Sequence, residues 1–225
     1  MQFQSNECEA PPAAAALRVQ VCDGGDPGRA EVAAFIRARF ASRYGARVRR
    51  QMPRLLALRD PAGSLIAAVG LRTAGPQPLF LEHYLNAPVE QYIHARAGAG
   101  VGRATIVEIG NLALAAAGHA RTVIVALTAY LCGAGLDWVV FTAVTSLRNS
   151  FARMGLEPIE LAGADPGRLG SRAADWGRYY ESRPLVYAGN VRHGAARLQT
   201  CLRQPDAASR WRLWMDAYVA GMCRP

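Results

Sequence analysis

The chain has no lysine. All 26 of its basic residues are arginine, set against 17 acidic residues for a formal net charge of +9. Such a charge ordinarily suggests an anionic partner. Here the abundant alanine makes coding bias as good an account of it as a binding face, and the arginines are spread along the sequence apart from RARFASRYGARVRR at 37–50. No recognised nucleic-acid-binding module accompanies the charge, so nucleic acid is not expected as a partner. Cysteine is also scarce. Cys8, Cys22, Cys132, Cys201 and Cys223 are odd in number and scattered, with no CxxC and no Cys/His cluster at metal-ligand spacing. That excludes a disulfide framework and leaves no metal site to expect. Cys132 lies inside the apolar run VIVALTAYLCGAGL and reads as core. No run reaches the roughly 18 apolar residues of a membrane span, and no basic region precedes the short alanine run near the start. The expected setting is cytoplasmic. Finally, neither a Gly-x-Ser-x-Gly elbow nor a Cys/His nucleophile signature is present, so no covalent nucleophile is expected.

Hydrophobic periodicity supplies the positive signals. Residues 1–27 form a leader or an edge strand around LRVQVCD. From Gly28 to Tyr44 the apolar Val32, Phe35, Ile36 and Phe40 recur at helical spacing, and Gly45 ends the helix. LLALRD and LIAAVGLRT flank the turn Asp60-Pro61-Ala62-Gly63 and predict a β-hairpin. LFLEHYLNAPVEQYIHARAG predicts a short strand or turn and then a helix, with Pro88 in its first turn. There follow a strand at 104–114, a small-residue step AAAGHA, a helix at 121–135, a strand at 136–144 and a helix at 145–155 capped by Gly155. LEPIELAG and PLVYAGNV supply the last strands, and the remainder reads as two short helices split by Pro205. The order implies an α/β (α+β) layered sandwich, a mixed central sheet flanked by helices over residues 28–191, with a helical C-terminal extension at 192–225.

Several polar residues stand out against this background. Glu108 lies within the apolar strand TIVEIGNL, where burial raises a carboxyl pKa unless Arg72 or a backbone donor pairs with it. Such a group suits a general base for amine acylation, or a structural Glu–Arg pair. His83 and Tyr84 in LFLEHYLNAPVE, and His119, are further acid–base candidates. The step before the 121–135 helix leaves backbone N–H groups free at a helix N-terminus, a place suited to a phosphate or to an ordinary turn. Tyr179 and Tyr180, in DWGRYYESRPLVYAG, would give aromatic walls to a substrate pocket or anchor the last strand.

The piece AAAGHA resembles the pyrophosphate loop of GNAT-type N-acyltransferases, with Gly118 and Ala120 matching and Ala115 where Arg or Gln is usual. RNSFARMGLEP resembles the segment that closes the cofactor groove in that family, through Asn149, Phe151 and Gly155, with Phe151 in place of a tyrosine. AAVGLRTAGPQPLF and IVEIGNLAL resemble strands of the acyl-homoserine-lactone synthases and align Arg72 and Glu108 with functional positions. Asn111 stands where those synthases have arginine, and VRRQMPR replaces their acidic pair. Taken in order, LFLEHYLNAPVE, IVEIGNLA, WVVFTAVTSLRNSFARMGL and WGRYYESRPLVYAGNV resemble the thermostable hemolysin family over about residues 30–191.

The resemblance implies a GNAT-like fold and an acyl donor on a phosphopantetheine arm, either acyl-CoA or an acyl carrier protein, with no tightly bound cofactor. It aligns Glu108 and Arg72 with catalytic positions, and His83 joins them as the catalytic candidate read from the residues themselves. Cofactor contacts are expected at Asn111, Ala117, Gly118, His119, Ala120, Arg121, Asn149 and Phe151, and the residues themselves suggest substrate contacts at Tyr84, Tyr179 and Tyr180. The acceptor would be a small-molecule amine, and an acidic carrier protein would suit the basic surface. Two other readings stay open: a membrane-active protein that uses Trp211, Trp214 and Tyr218 on one face of the last helix, and a fold that binds an acyl cofactor without catalysing.

Overall fold

A computed structural model describes residues 16–98, 100–201 and 207–223. Pro205 and the first 15 residues of the leader lie outside them. Among these residues seven strands, β1 (Arg18–Cys22), β2 (Arg54–Arg59), β3 (Leu65–Thr73), β4 (Ile106–Leu114), β5 (Trp138–Ala143), β6 (Ile159–Gly163) and β7 (Leu185–Asn190), form one sheet in the order β1-β2-β3-β4-β5-β7-β6. Every neighbouring pair is antiparallel except the central β4–β5 pair, which is parallel and joined by a helical crossover. The mixed sheet and its flanking helices make the fold GNAT-like, as expected from the order of elements.

Helices cover both faces because the strands alternate apolar residues to both. On β2, Leu56 and Leu58 face α3 (Ala120–Gly133), α5 (Val191–Cys201) and α6 (Ala207–Met222), while Leu55 and Ala57 face α1 (Arg29–Tyr44). At the other end of the sheet, Val140, Val186 and Ala188 face the 3-10 turn Phe80–Tyr84 and α2 (Val89–Ala97). Pro88 takes the N-cap of α2, one position earlier than a first-turn proline. α6 lies against α3 in backbone contact: a methyl group on Gly133 would collide with the Tyr218 carbonyl, and one on Gly221 with that of Tyr130. Leu198, Leu213, Trp214 and Ala217 from the C-terminal helices thereby join the same core as the sheet.

The aromatic face expected on the last helix is divided by this packing. Trp214 is 6% exposed against α3 and Trp211 is 51% exposed, so the two tryptophans do not share an outward face. The exposed large apolar residues of α6 are Trp211, Met215, Val219 and Met222 among the described residues.

Two irregularities position the site. In β4, Asn111 has φ +56° and adds one residue between the pairs Gly70–Gly110 and Ala68–Ala113. This bulge switches the strand's phase, so that Val107 and Ile109 before it and Leu112 and Leu114 after it all reach the α3 side. Asparagine tolerates this conformation because its short side chain suits the left-handed region. The second irregularity is the pairing of β4 with β5, which stops at Ile109–Phe141. Beyond that point β4 runs on to Leu114 paired with β3 alone, and β5 runs on to Ala143 paired with β7 alone. The sheet splits there.

Candidate active site

A cavity of about 1380 Å³ occupies the split. Its lining comes from both faces of the sheet. Ile109, Leu112, Val123, Ile124, Leu127 and Phe151 belong to the α3 side, and Glu108, Phe80, Tyr84, Trp176 and Tyr179 to the α1 side. The α3 side is apolar, closed by Phe141 against Phe151 at a ring-centroid distance of 5.2 Å. The α1 side is aromatic and polar.

Glu108 anchors the polar side. It is 2% exposed, and each carboxylate oxygen accepts a backbone N–H at 2.8 Å: Oε2 from Phe80 and Oε1 from Leu81. Burial pushes its carboxyl up to about 7, held from rising further by those two N–H donors and by the charge of Arg72. Arg72 is its register partner on β3, yet no hydrogen bond or ion pair joins them. The expected Glu–Arg pair is therefore electrostatic, and the hydrogen bonds of Glu108 go to the 3-10 turn. That turn carries His83, whose Nδ1 lies 2.7 Å from the Phe80 carbonyl and donates to it, leaving Nε2 as the free nitrogen. His83 lines the cavity.

A second clamp holds the same turn. Glu82 accepts N–H bonds from Leu79 and Val89 and pairs with Arg103, which also reaches Glu90. Burial opposes ionisation of Glu82, but the Arg103 guanidinium and the two N–H groups outweigh it and hold the carboxyl below its usual range.

The phenols form a linked wall. Tyr84 and Tyr180 share a hydroxyl–hydroxyl bond, and the Tyr179 hydroxyl lies 3.0 Å from that of Thr142 on β5. Trp176 contacts Phe40, Phe80, Tyr179 and Tyr180. Burial, first of all, pushes Tyr84 and Tyr179 well above the usual phenol range, so both are protonated donors at neutral pH.

The cavity brings together most, though not all, of the residues singled out in the sequence. Glu108, Arg72, His83, Tyr84, Tyr179, Tyr180, Asn111, Ala117, Ala120 and Phe151 line it. Gly118, His119, Arg121 and Asn149 are not among the lining residues. Gly118 and His119 belong to the 3-10 turn Ala117–His119 that opens α3, where the buried Nδ1 of His119 has no partner among the described residues. Arg121 is exposed on the first turn of α3. Asn149 is exposed on α4 (Thr145–Arg153), whose Leu147, Ser150 and Phe151 face the cavity instead.

The sequence had not marked Trp176, Phe80, Gln51 or Met52. Met52 lies across the facing glycines Gly70 and Gly110, where a Cβ on either would collide with its side chain. Arg29 fixes the Met52 backbone by donating to the carbonyls of Met52 and Pro53. A glycine inside a strand signals such a close approach, and VGLR and EIGN both contain one.

The split sheet and the cavity through it place the chain among proteins of the GNAT-like sandwich class. It belongs to the thermostable hemolysin family, whose model matches residues 22–195. Among solved structures it is similar to FeeM, an N-acyl amino acid synthase from uncultured soil microbes, at 11% identity and a TM-score of 0.53, over 84% of this chain and 100% of that one. It is also similar to BjaI, a CoA-dependent acyl-homoserine lactone synthase solved with SAM and isopentyl-CoA, at 11% identity and a TM-score of 0.53, over 89% and 100%. The AHL synthase LasI matches at 12% identity and a TM-score of 0.52, over 78% and 90%. At these identities the likeness is one of fold. No curated protein sequence matches the chain.

Proposed function

We propose that this protein transfers an acyl group from a phosphopantetheine thioester, on CoA or on an acyl carrier protein, to the amine of a small molecule. The observation that carries the reading is the open edge of β4 from Gly110 to Leu114, facing a cavity that crosses the sheet. An extended arm containing amide groups can pair with such an edge as an added strand would. The turn before α3, at a helix N-terminus, is suited to the donor's phosphates, and Gly118, His119 and Arg121 belong to this end. The apolar α3 side suits an acyl chain longer than acetyl. A basic chain favours docking of an acidic carrier protein. The activities of FeeM, BjaI and LasI support the same reading.

In the reaction the acceptor nitrogen attacks the thioester carbonyl. A C–N bond forms, the C–S bond breaks, and the nitrogen's proton passes to His83 Nε2. The thiolate leaves and is protonated from solvent. Glu108 acts as a positioning residue, since its oxygens hold the turn that aims His83. Protonated Tyr84 and Tyr179 supply donors on the α1 side. Phe151 offers no hydroxyl, so no general acid is assigned to α4. Direction of the acceptor to this side follows from where the polar groups lie.

Thiol release from an acyl-CoA series, read with and without an amine panel, tests the proposal. Amine-dependent release that is lost in His83→Gln supports it. Tight thioester binding with no acylation of any amine would favour a binding protein instead. A membrane-active reading draws less support, because Trp214 and half-buried Tyr218 are committed to the α3–α6 interface.

A further inference from the structure

We propose that the acceptor is an amine that also bears a carboxylate, an amino-acid-like molecule, and that Arg72 and Gln51 bind its acid group. This rests on the acyl-transfer reading and specifies its second substrate.

Two independent observations carry it. Arg72 lines the cavity half-buried and makes no hydrogen bond or ion pair among the described residues. Its register partner Glu108 hydrogen-bonds the N–H groups of the turn and not Arg72. A guanidinium partly removed from water calls for an anion that can take its paired donors. Gln51 supplies the second observation: both polar atoms of its side chain are buried without a partner among the described residues, and it too lines the cavity. Buried amides are almost always satisfied by protein, water or ligand, and an unpaired one beside a cavity is a group that a ligand's polar atoms can satisfy. A glutamine offers N–H donors to a carboxylate and a carbonyl to an ammonium.

Gln51 and Arg72 belong to one corner. Met52, next to Gln51, packs on Gly70 and Gly110, and Arg72 follows Gly70 on the same face of β3. The loop leading into this corner adds Arg47, Arg49 and Arg50, of which Arg49 is paired with Asp175. Among the described residues the lining holds eight arginines against the three carboxylates Glu108, Glu157 and Asp175. That excess disfavours a cationic acceptor such as a polyamine or a sulfonium compound. The donor's phosphates are not a competing explanation for this corner. Glu108 and Leu114 are six residues apart on β4, about 20 Å at the usual rise, and the turn suited to phosphate lies beyond Leu114.

The test compares α-amino acids with their own amides, for example tyrosine with tyrosinamide and leucine with leucinamide, using one acyl-CoA that the protein binds. The amide has the less basic amine, hence more free base at neutral pH, so a preference for the acid cannot come from nucleophile supply. The expected result is a preference for at least one acid over its amide of roughly ten- to hundred-fold in kcat/KM, expressed mainly in KM. In Arg72→Gln the acid-to-amide ratio collapses toward one, and Arg72→Lys recovers part of it. Gln51→Leu gives a readout that a structural role would not: removing two unpaired buried atoms keeps or raises Tm, while KM for the acid rises. Equal use of acid and amide, a preference for the amide, or failure to acylate any amino acid despite donor binding overturns the inference. Failure to bind any acyl donor instead removes the acyl-transfer reading beneath it.

Discussion

Glu108 offers a prediction whose magnitude follows from its surroundings. Its carboxyl is raised from 4.5 to about 7, first by burial. A carboxyl raised on folding binds its proton more tightly in the folded state. Its contribution to stability is therefore complete below about pH 4.5 and is lost as the pH rises through about 7. The shift corresponds to about 3 kcal/mol. Glu108→Gln removes the titration while keeping one oxygen acceptor for the 3-10 turn. Its amide nitrogen then faces one of the two N–H donors of Phe80 and Leu81, costing about 1–3 kcal/mol at every pH. Urea unfolding of both proteins, followed by tryptophan fluorescence from pH 5 to 8, gives the difference directly. The wild type should lose about 2.5 kcal/mol relative to Glu108→Gln across that range, because contributions from groups remote from Glu108 cancel. A difference that stays flat with pH would refute the argument from burial.

Further expectations follow from the same geometry. Arg103→Ala leaves Glu82 buried beside Glu90 without its counterion and should destabilise the fold by about 3 kcal/mol in a denaturant melt, with the loss greatest at neutral pH and reduced as Glu82 protonates in acid. Gly133→Ala should lower stability by about 1–3 kcal/mol by forcing α3 and α6 apart, measurable as a drop in Tm. Leu127→Trp, at a half-buried position on the apolar wall, should shift the preferred thioester toward shorter acyl chains in a kcat/KM series. Trp211→Ser with Met222→Ser removes the exposed apolar ends of α6 and should leave liposome leakage at its wild-type level.

The elements with strong periodicity were legible in the sequence. α1, the β2–β3 hairpin, β4, α3 and β5 fall where the apolar spacing and the turn residues put them, and Gly45 and Gly155 close their helices with φ of +66°. The bulge at Asn111 left a trace as glycine and asparagine inside a strand, but not its consequence, which is the switch of phase. Asn149 illustrates a different limit. Residues two apart on a helix lie on opposite sides, so burial of Phe151 toward the sheet turns Asn149 outward. Similarly, the sequence placed an acid and an arginine on facing strands without showing that the acid's oxygens would be taken by backbone N–H groups 27 and 28 residues away. The aromatic wall was the least legible part. Residues 166–182 have no clean period, and Gly170 and Gly177 at positive φ kink the 3-10 segment. Gly177 lies where a side chain would strike the Tyr44 carbonyl, and Arg47 donates its N–H to Asp175, so this segment is held to the end of α1 by long-range contacts. Only that folding brings Trp176, Tyr179 and Tyr180 to the cavity.

The central claim is that the split between β4 and β5 receives an acyl-phosphopantetheine thioester. Native mass spectrometry of the protein with acyl-CoAs of several lengths, and with an acylated carrier protein, tests it most directly. The account predicts a one-to-one complex with a thioester of selected acyl length, weakened when Leu127 is enlarged to Trp; absence of a complex with every thioester would contradict it.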